Sequence, residues 1–371
     1  MEKKKEKLKP VIFIIVDSVR HYKTGIDDRD RLEIMDNLSE EMSEFTNAYC
    51  SAPSSVMSGS SMFTGYNSLY LSTNYQDWKF DKKGQIMSLQ NILLDNGYDI
   101  YSIDNSKEGR EITADLMKPL KKRFFPKNIS HANFWTNSDL VRILENILSK
   151  NDVKKKSFFM IWFDCRGDKK TSLHVNKAIE IFKKYKFFED SFCVLTSDHG
   201  YPDPNSGLNK KNMSNIGHDM IVTEDNIKVP LLIKSSKLNL KTYKNLVSCY
   251  DFFPTVLSEL GLEKQYKNYL EKIDGVSVFE KTNEKRIIRI DTRLLLQSNR
   301  ISAFRYKNFK AILYHDQDLI EIYNLDIDKQ EINPLDKEKY KNIYSIFLNY
   351  IKQSEKKITL FHKTQIQTNS Y

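Results

Sequence analysis

Two side chains that bind metals follow an apolar run near the middle of the sequence. Residues 192–197 read Phe-Cys-Val-Leu-Thr-Ser, and Asp198, His199 and Gly200 come directly after them. Short apolar runs bounded by turn residues are typical of strands buried in a parallel sheet, and such sheets bind ligands beyond the carboxyl ends of their strands. Asp198 and His199 would lie at that edge. Alternatively, Asp198 only accepts hydrogen bonds from the amides of a turn.

A second carboxylate is predicted at the same edge of the sheet. Residues 11–16, Val-Ile-Phe-Ile-Ile-Val, form a largely β-branched run that predicts a central parallel strand, and Asp17 ends it. On its own, Asp17 could equally cap a helix. Because the carboxyl ends of parallel strands share one edge, the pairing of Asp17 with Asp198 favours a shared hard cation.

Hydroxyl groups and one further histidine complete the set of candidate reactive residues. Residues 48–65 are dense in Ser and small side chains and predict a loop that leads into a helix. A hydroxyl at a helix N-terminus lies beside exposed amides that favour an incoming phosphate or sulfate; the alternative is an ordinary Ser-rich loop with a helix cap. His218 follows a glycine in a polar stretch, where a functional and a structural role remain equally open.

The order of predicted elements indicates an α/β fold with a largely parallel central sheet and helices on both faces. Apolar runs predict the strands, and amphipathic periodicity predicts the helices between them. Further strands are predicted at residues 99–103, 157–163 and 229–233. Helices are predicted at residues 87–98, 138–149, 174–185 and 248–260.

The C-terminal part of the sequence predicts a smaller α+β subdomain. Alternating apolar residues predict strands, and helical periodicity follows them. The strands are expected at residues 286–291, 302–306, 310–314 and 319–323, and the helix at 337–352. The polar tail after residue 359 is expected to fray. We therefore expect a main domain at residues 1–284 and a C-terminal subdomain at 285–371.

Composition limits the class of protein and its partners. The chain has 371 residues, of which 40% are hydrophobic and 12% aromatic, which predicts a globular protein with a substantial core. Its net charge of +9 comes mainly from dispersed lysines, which favours a solvated surface over a nucleic-acid partner. The four cysteines are far apart and predict neither disulfides nor a zinc knot. With no recognisable export signal or membrane span, we expect a cytoplasmic protein.

Over nearly its whole length the sequence resembles the sulfatase-like members of the alkaline phosphatase superfamily. That group includes sulfatases and phosphonate monoester hydrolases. The resemblance rests on an ordered set of segments, each similar to a family motif, at residues 11–20, 51–65, 197–200, 224–230, 251–255 and 321–335. It implies the alkaline-phosphatase-like α/β fold and an esterase active site.

The resemblance also implies roles for individual residues. Counting back from the Thr64-Gly65 pair places the family's nucleophile at Ser55, so Cys50 is not the nucleophile. Met57 and Gly59 stand where the pattern that directs formylglycine formation has proline and arginine. Ser18 stands where many sulfatases have a second Asp. The implied metal ligands are Asp17, Asp198, His199 and Ser55, the proton donor is His218, and the anion contacts are Lys107 and Arg166.

We therefore expect a metal-dependent hydrolase of sulfate, phosphate or phosphonate esters. Its cofactor would be one divalent ion, Mn, Zn or Ca, with room for a second metal. Its substrate would be a small anionic ester or glycan, and Ser55 would act as an unmodified serine. Two alternatives stay open at this point. One is a phosphoryl transferase acting on a glycan or lipid, and the other is a noncatalytic protein that binds an anionic partner in the same cleft.

Overall fold

The central strand of the main sheet is β1 (Val11–Asp17). Its first six residues are fully buried. Phe13 and Ile15 belong to the hydrophobic core on one face of the sheet, and Ile12 and Ile14 belong to the core on the other face. The apolar run is continuous because both faces of the strand are covered.

The computed structural model of the protein describes most of the chain. The described residues are 9–23, 30–70, 86–104, 136–150, 153–164, 170–203, 218–281, 284–292 and 300–368. Within these ranges no helix is long and apolar enough to cross a membrane.

Eight strands of the described chain form the main sheet. Beside β1 they are β2 (Ser43–Tyr49), β3 (Asp99–Asp104), β4 (Ser157–Asp164), β5 (Phe192–Ser197), β6 (Lys228–Val229), β7 (Leu231–Lys234) and β8 (Thr242–Ser248). The order is β3-β4-β1-β5-β7-β2-β6, and β8 pairs with β2. The four strands β3, β4, β1 and β5 are parallel, whereas β7 is antiparallel to β5 and to β2. The predicted α/β fold with a mostly parallel sheet is confirmed.

Helices connect the strands and cover the sheet. They are α1 (Glu33–Asn37), α2 (Ser55–Thr64), α3 (Leu89–Asp95), α4 (Asn137–Leu148), α5 (Thr171–Lys184), α6 (Glu224–Ile227), α7 (Phe252–Glu259) and α8 (Lys267–Leu270). Thr136 caps the N-terminus of α4 in a capping box. Its side chain accepts a hydrogen bond from the N–H of Asp139, and the Asp139 side chain accepts one from the N–H of Thr136. Helix α2 ends at Gly65, whose left-handed backbone (φ 77°) forms a C-cap.

A second, antiparallel sheet and a long helix form the C-terminal part. The strands are β9 (Ile288–Asp291), β10 (Ile301–Tyr306), β11 (Phe309–Tyr314) and β12 (Leu319–Asn324), in the order β12-β11-β10-β9. The helix is α9 (Lys341–Thr368). Phe304, Ile322 and Phe347 form a small core between the sheet and this helix.

The final helix is longer than the sequence predicted. We expected it to end at residue 352 and the tail after residue 359 to fray, but α9 continues to Thr368. The added turns place Ile358 and Phe361 against the main core, where the Phe361 ring contacts the rings of Tyr66 and Tyr70. Burial of a few apolar side chains thus outweighs the polar composition of the tail.

Candidate active site

Two neighbouring strands bring their terminal carboxylates to one edge of the main sheet. Strands β1 and β5 pair in parallel with Val16 opposite Ser197, so Asp17 and Asp198 leave the sheet side by side. Asp17, Asp198 and His199 each offer a ligand atom, and these atoms lie within 4.8 Å of one another. Asp198 and His199 are fully buried and Asp17 is half-buried. Their mixed oxygen and nitrogen donors suit a divalent transition metal.

The two oxygens of Asp198 have different environments. Oδ1 accepts hydrogen bonds from the backbone N–H groups of Ser18 (3.0 Å) and His199 (2.9 Å). Oδ2 is buried and has no hydrogen-bond partner among the described residues. A buried carboxylate oxygen without a partner is costly, so an oxygen in this position fits a metal ligand.

The hydrogen bonds of His199 select the tautomer that a metal ligand needs. Its Nδ1 lies 2.7 Å from the carbonyl oxygen of Gly200, which can only accept, so Nδ1 carries the proton. The lone pair is therefore on Nε2. This atom lies 3.4 Å from Asp198 Oδ2 and 3.2 Å from Ser55 Oγ.

The electrostatics of the site favour a bound positive charge. Burial raises the pKa of Asp198, and the neighbouring Asp17 carboxylate raises it further. Burial lowers the pKa of His199, but the carboxylates of Asp198 and Asp17 outweigh this effect and the pKa is raised. A divalent cation among these three side chains would take the place of the proton that they otherwise share.

Ser55 reaches this cluster from helix α2. It is the first residue of the helix, it is half-buried, and the N-terminal end of the helix favours an anion beside it. One turn later, Ser58 Oγ donates a 2.6 Å hydrogen bond to the backbone carbonyl of Asp198 and so attaches the helix to the end of β5. We did not predict this contact; the only signal was the spacing of three residues, which puts both hydroxyls on one helix face.

The imidazole of His218 lies over that of His199. The two rings stack with centroids 4.6 Å apart and planes 18° apart. His218 Nε2 lies 2.8 Å from the carboxylate of Asp219, and the backbone carbonyl of His218 accepts a 2.7 Å hydrogen bond from Asn226 Nδ2. His218 thus lies beside the Asp17–Asp198–His199 cluster, and Asn226 is a supporting residue that the sequence did not indicate.

Gly200 and Arg20 hold the loops around the site. A β-carbon on Gly200 would lie 2.1 Å from the carbonyl oxygen of Asp225, so only glycine fits this close backbone crossing. The buried Arg20 donates hydrogen bonds to the carbonyl oxygen of Tyr201 (2.7 Å) and to Asp30 (3.1 Å). Its charge is therefore directed at the loops and not at a substrate.

The structure brings together five of the predicted site residues: Asp17, Ser55, Asp198, His199 and His218. The predicted anion contacts Lys107 and Arg166 lie outside the described residues. Cys50 is fully buried, and burial raises the pKa of its thiol, which makes it a poor nucleophile.

Comparison of the sequence with protein families decides which family the protein represents. The model of the sulfatase family matches residues 9–163 and 169–262, which is most of the chain. The protein belongs to the sulfatase family. Its membership assigns it to the ester hydrolases, and members of the family generally bind a divalent metal. The search of curated proteins gives no match.

Solved structures with the same fold include sulfatases and a phosphonate monoester hydrolase. YidJ of Bacteroides fragilis, a candidate sulfatase, is 14% identical with a TM-score of 0.71, covering 97% of this chain and 98% of that one. BT4656, solved with its substrate D-glucosamine-2-N,6-O-disulfate, is 14% identical (TM-score 0.70; 95% and 98%). Phosphonate monoester hydrolase of Agrobacterium radiobacter is 12% identical (TM-score 0.63; 95% and 96%). At these identities the likeness establishes the fold.

The structure gives a physical reason for one departure from the sulfatase pattern. Gly59 stands where the formylglycine pattern has arginine, and a β-carbon there would lie 3.1 Å from the indole ring of Trp162. A side chain at this position would therefore press against the Trp162 ring, which would have to shift by a few tenths of an ångström. Gly59 is therefore part of the packing between α2 and β4.

Proposed function

We propose that the protein is a metal-dependent hydrolase of phosphate diesters or phosphonate monoesters in which unmodified Ser55 is the nucleophile. Sulfate esters are the other substrate class that family membership supports. The observation that carries the proposal is the approach of Ser55 Oγ to His199 Nε2, 3.2 Å, beside the Asp17–Asp198–His199 cluster. The substrate would be a small anionic ester or glycan.

Three side chains would hold the metal. Asp17 and Asp198 supply carboxylate oxygens, and His199 supplies the lone pair of Nε2, because its Nδ1 proton is bonded to Gly200. When bound, a divalent cation would lower the pKa of the Ser55 hydroxyl and polarise the ester. Manganese or zinc suits this donor set better than calcium, which requires more hard oxygens.

The protein residues would carry the bond-forming steps. The Ser55 hydroxyl loses its proton to water, and its oxygen attacks phosphorus opposite the leaving group. His218 donates a proton to the leaving oxygen; Asp219 engages its Nε2, which leaves Nδ1 for this transfer. Water then attacks phosphorus of the seryl ester, and His218 takes the proton from that water. The P–O bond to Ser55 breaks, and the departing serine oxygen takes a proton back from solvent water, which regenerates the hydroxyl.

An unmodified serine favours phosphorus over sulfur as the reacting centre. A formylglycine hydrate can expel sulfate by collapsing to the aldehyde, whereas a serine sulfate ester has no such exit. Water can attack phosphorus in a phosphoseryl ester and release the serine. This difference supports phosphate diester or phosphonate substrates for the present chain.

The test is hydrolysis of three nitrophenyl substrates, an aryl sulfate, an aryl phosphate diester and an aryl phosphonate monoester, with added Mn²⁺, Zn²⁺ or Ca²⁺. We expect phosphorus ester turnover that Ser55→Ala reduces by at least about a thousandfold. Ser54→Ala is the matched control, since Ser54 precedes α2 but its side chain makes no capping bond. Turnover that survives in Ser55→Ala would exclude Ser55 as nucleophile. Metal uptake without turnover of any ester would support the noncatalytic alternative.

A further inference from the structure

A cluster of buried charges connects the C-terminal sheet to the loop that supports the candidate active site. Arg305 and Lys310 come from strands β10 and β11, and Glu331 follows β12. They meet Glu224, which is in helix α6 of the main domain. All four residues are at most 9% exposed. Charged side chains are rarely buried without a structural or functional reason.

The four side chains form one network with Tyr49. The Glu224 carboxylate accepts a hydrogen bond from the Tyr49 hydroxyl (3.0 Å) and lies 3.3 Å from Arg305 Nε and 3.6 Å from Lys310 Nζ. Lys310 also pairs with Glu331. Arg305 Nε donates to the Tyr49 hydroxyl at 2.9 Å. The paired charges balance, which offsets the cost of removing them from water.

The network also holds the backbone of residues 222–227, which we call the bridge segment. Lys310 Nζ donates to the carbonyl oxygen of Val222, and the Glu331 carboxylate accepts a 2.9 Å hydrogen bond from the N–H of Glu224. The contacts therefore reach main-chain atoms near the start of the bridge segment, and they come from residues more than eighty positions away in sequence.

The end of the bridge segment contacts three segments beside the candidate active site. Asn226 Nδ2 donates to the carbonyl oxygen of His218 at 2.7 Å, and the carbonyl oxygen of Asn226 accepts from Gly200 N–H at 2.8 Å. The carbonyl oxygen of Ile227 accepts from Cys50 N–H at 3.0 Å, at the start of the segment that leads to Ser55. Asn226 is fully buried, so its position is fixed by these contacts.

We infer that the Arg305–Lys310–Glu331 face of the C-terminal sheet positions His218 for proton transfer by fixing the bridge segment. This inference rests on the proposed role of His218 as proton donor. The charged cluster touches neither the metal ligands nor Ser55 through any contact in the described chain. It acts on His218 through the side chain of Asn226. The carbonyl of Asn226 also accepts from Gly200, but the bonds of Asp198 to Ser18 and of His199 to Gly200 involve no residue of the bridge segment. The three cluster residues are thus positioning residues.

The test compares two variants of the full-length protein. Lys310→Met with Glu331→Leu removes both partners of one ion pair, so that no buried charge is left without its partner in that pair. Glu331→Gln removes the charge but keeps an oxygen that can accept from the N–H of Glu224. We expect the double variant to move His218 and the conservative variant to retain its position. Glu355→Gln is the control, because Glu355 pairs with Arg289 and Arg300 in the same subdomain and away from the bridge segment.

The first readout is the sensitivity of turnover to the leaving group. A displaced proton donor slows esters with poor alkyl leaving groups more than esters with nitrophenolate, which needs no proton. We expect the double variant to lose about tenfold in kcat/KM with alkyl leaving groups and less than about twofold with nitrophenyl esters, because kcat/KM reports formation of the seryl ester and not the later water step that His218 also assists. A loss of folded protein would lower both rates by the same factor, and equal losses would overturn the inference.

The second readout does not require activity. In spectra of protein labelled with ¹³C at the histidine Cε1 atoms, the His218 resonance, assigned with His218→Gln, is expected to shift or broaden in the double variant. The resonance of His362, whose Nε2 lies 2.9 Å from the carbonyl oxygen of Leu69, a residue outside the network, is expected to remain. An unchanged His218 resonance would overturn the inference. If His218→Gln itself shows no leaving-group dependence while the resonance moves, the proposed role of His218 fails and the positional coupling stands.

Discussion

Ser18 donates its backbone N–H to Asp198 Oδ1 over 3.0 Å from a left-handed backbone conformation, φ 63°. Its hydroxyl also donates to Asp17 Oδ1. Ser18 therefore engages one oxygen of each carboxylate in the Asp17–Asp198–His199 cluster. A left-handed backbone at a residue other than glycine costs of order 1 kcal/mol or more, so it persists where its surroundings require it. Here it aims the N–H of Ser18 at Asp198.

Replacing Ser18 is expected to change metal affinity and selectivity. Ser18→Ala removes the bond to Asp17 and should weaken Mn²⁺ binding about tenfold, as expected for loss of a group that orients a ligand. Ser18→Asp adds a carboxylate and should raise the affinity for Ca²⁺ relative to Mn²⁺. Isothermal titration of the metal-free protein measures both effects. Ser60→Ala is the control, since the Ser60 hydroxyl donates to the carbonyl of Val56 in its own helix. A Ser18→Asp protein with unaltered metal preference would contradict this account.

Gly200 is expected to tolerate no side chain. Alanine at this position would place its β-carbon 2.1 Å from the carbonyl oxygen of Asp225, and backbone atoms cannot move aside as a flexible side chain can. We expect Gly200→Ala to lower the free energy of unfolding by about 3 kcal/mol. Denaturant titration measures this loss. A loss below about 1 kcal/mol would show that the crossing of the two loops is looser than the structure indicates.

His21 makes the protein sensitive to mild acid. Burial, together with the positive charges of Lys228 and Arg31, lowers the pKa of its imidazole to about 3. The unfolded chain, with a pKa near 6.5, binds a proton first, so the stabilisation is present above pH 6.5 and is lost as the pH falls toward 3. At pH 5 this amounts to about 2 kcal/mol.

The variant His21→Gln tests this pH dependence of stability. The glutamine amide can still donate to the carbonyl oxygen of Val229, which lies 3.2 Å from His21 Nδ1. Between pH 7.5 and pH 5 the free energy of unfolding should fall by about 2 kcal/mol more in the wild type than in His21→Gln. Chemical denaturation at several pH values gives both slopes. Parallel slopes would mean that His21 is protonated in the folded protein.

The sequence allowed the strand ends to be predicted but not the contacts between distant segments. Strands β1 and β5 are buried on both faces, so their apolar runs and terminal Asp residues were visible directly. Strands β2 and β8 were not predicted, because their polar and apolar residues do not alternate cleanly. Of their fourteen side chains, eight are partly or fully exposed. The Glu224–Glu331 contact joins residues that no local pattern relates, so only the folded chain reveals it.

Ser55 is expected to remain an unmodified serine. The formylglycine pattern requires proline and arginine at positions that Met57 and Gly59 occupy, and the ring of Trp162 fills the space beside Gly59. We therefore expect the peptide that contains Ser55 to have the mass of unmodified serine. Conversion to formylglycine would remove two hydrogens, which mass spectrometry of a proteolytic digest detects as a loss of about 2 Da.

The mass of the Ser55 peptide and the substrate preference of the protein are expected to point to the same chemistry. An unmodified serine has to be released from its ester by water, and this step is accessible at phosphorus, so phosphate diester or phosphonate turnover should exceed sulfate release. A peptide lighter by two hydrogens, together with preferential sulfate release, would contradict both expectations and would identify covalent activation of Ser55 as the source of its reactivity.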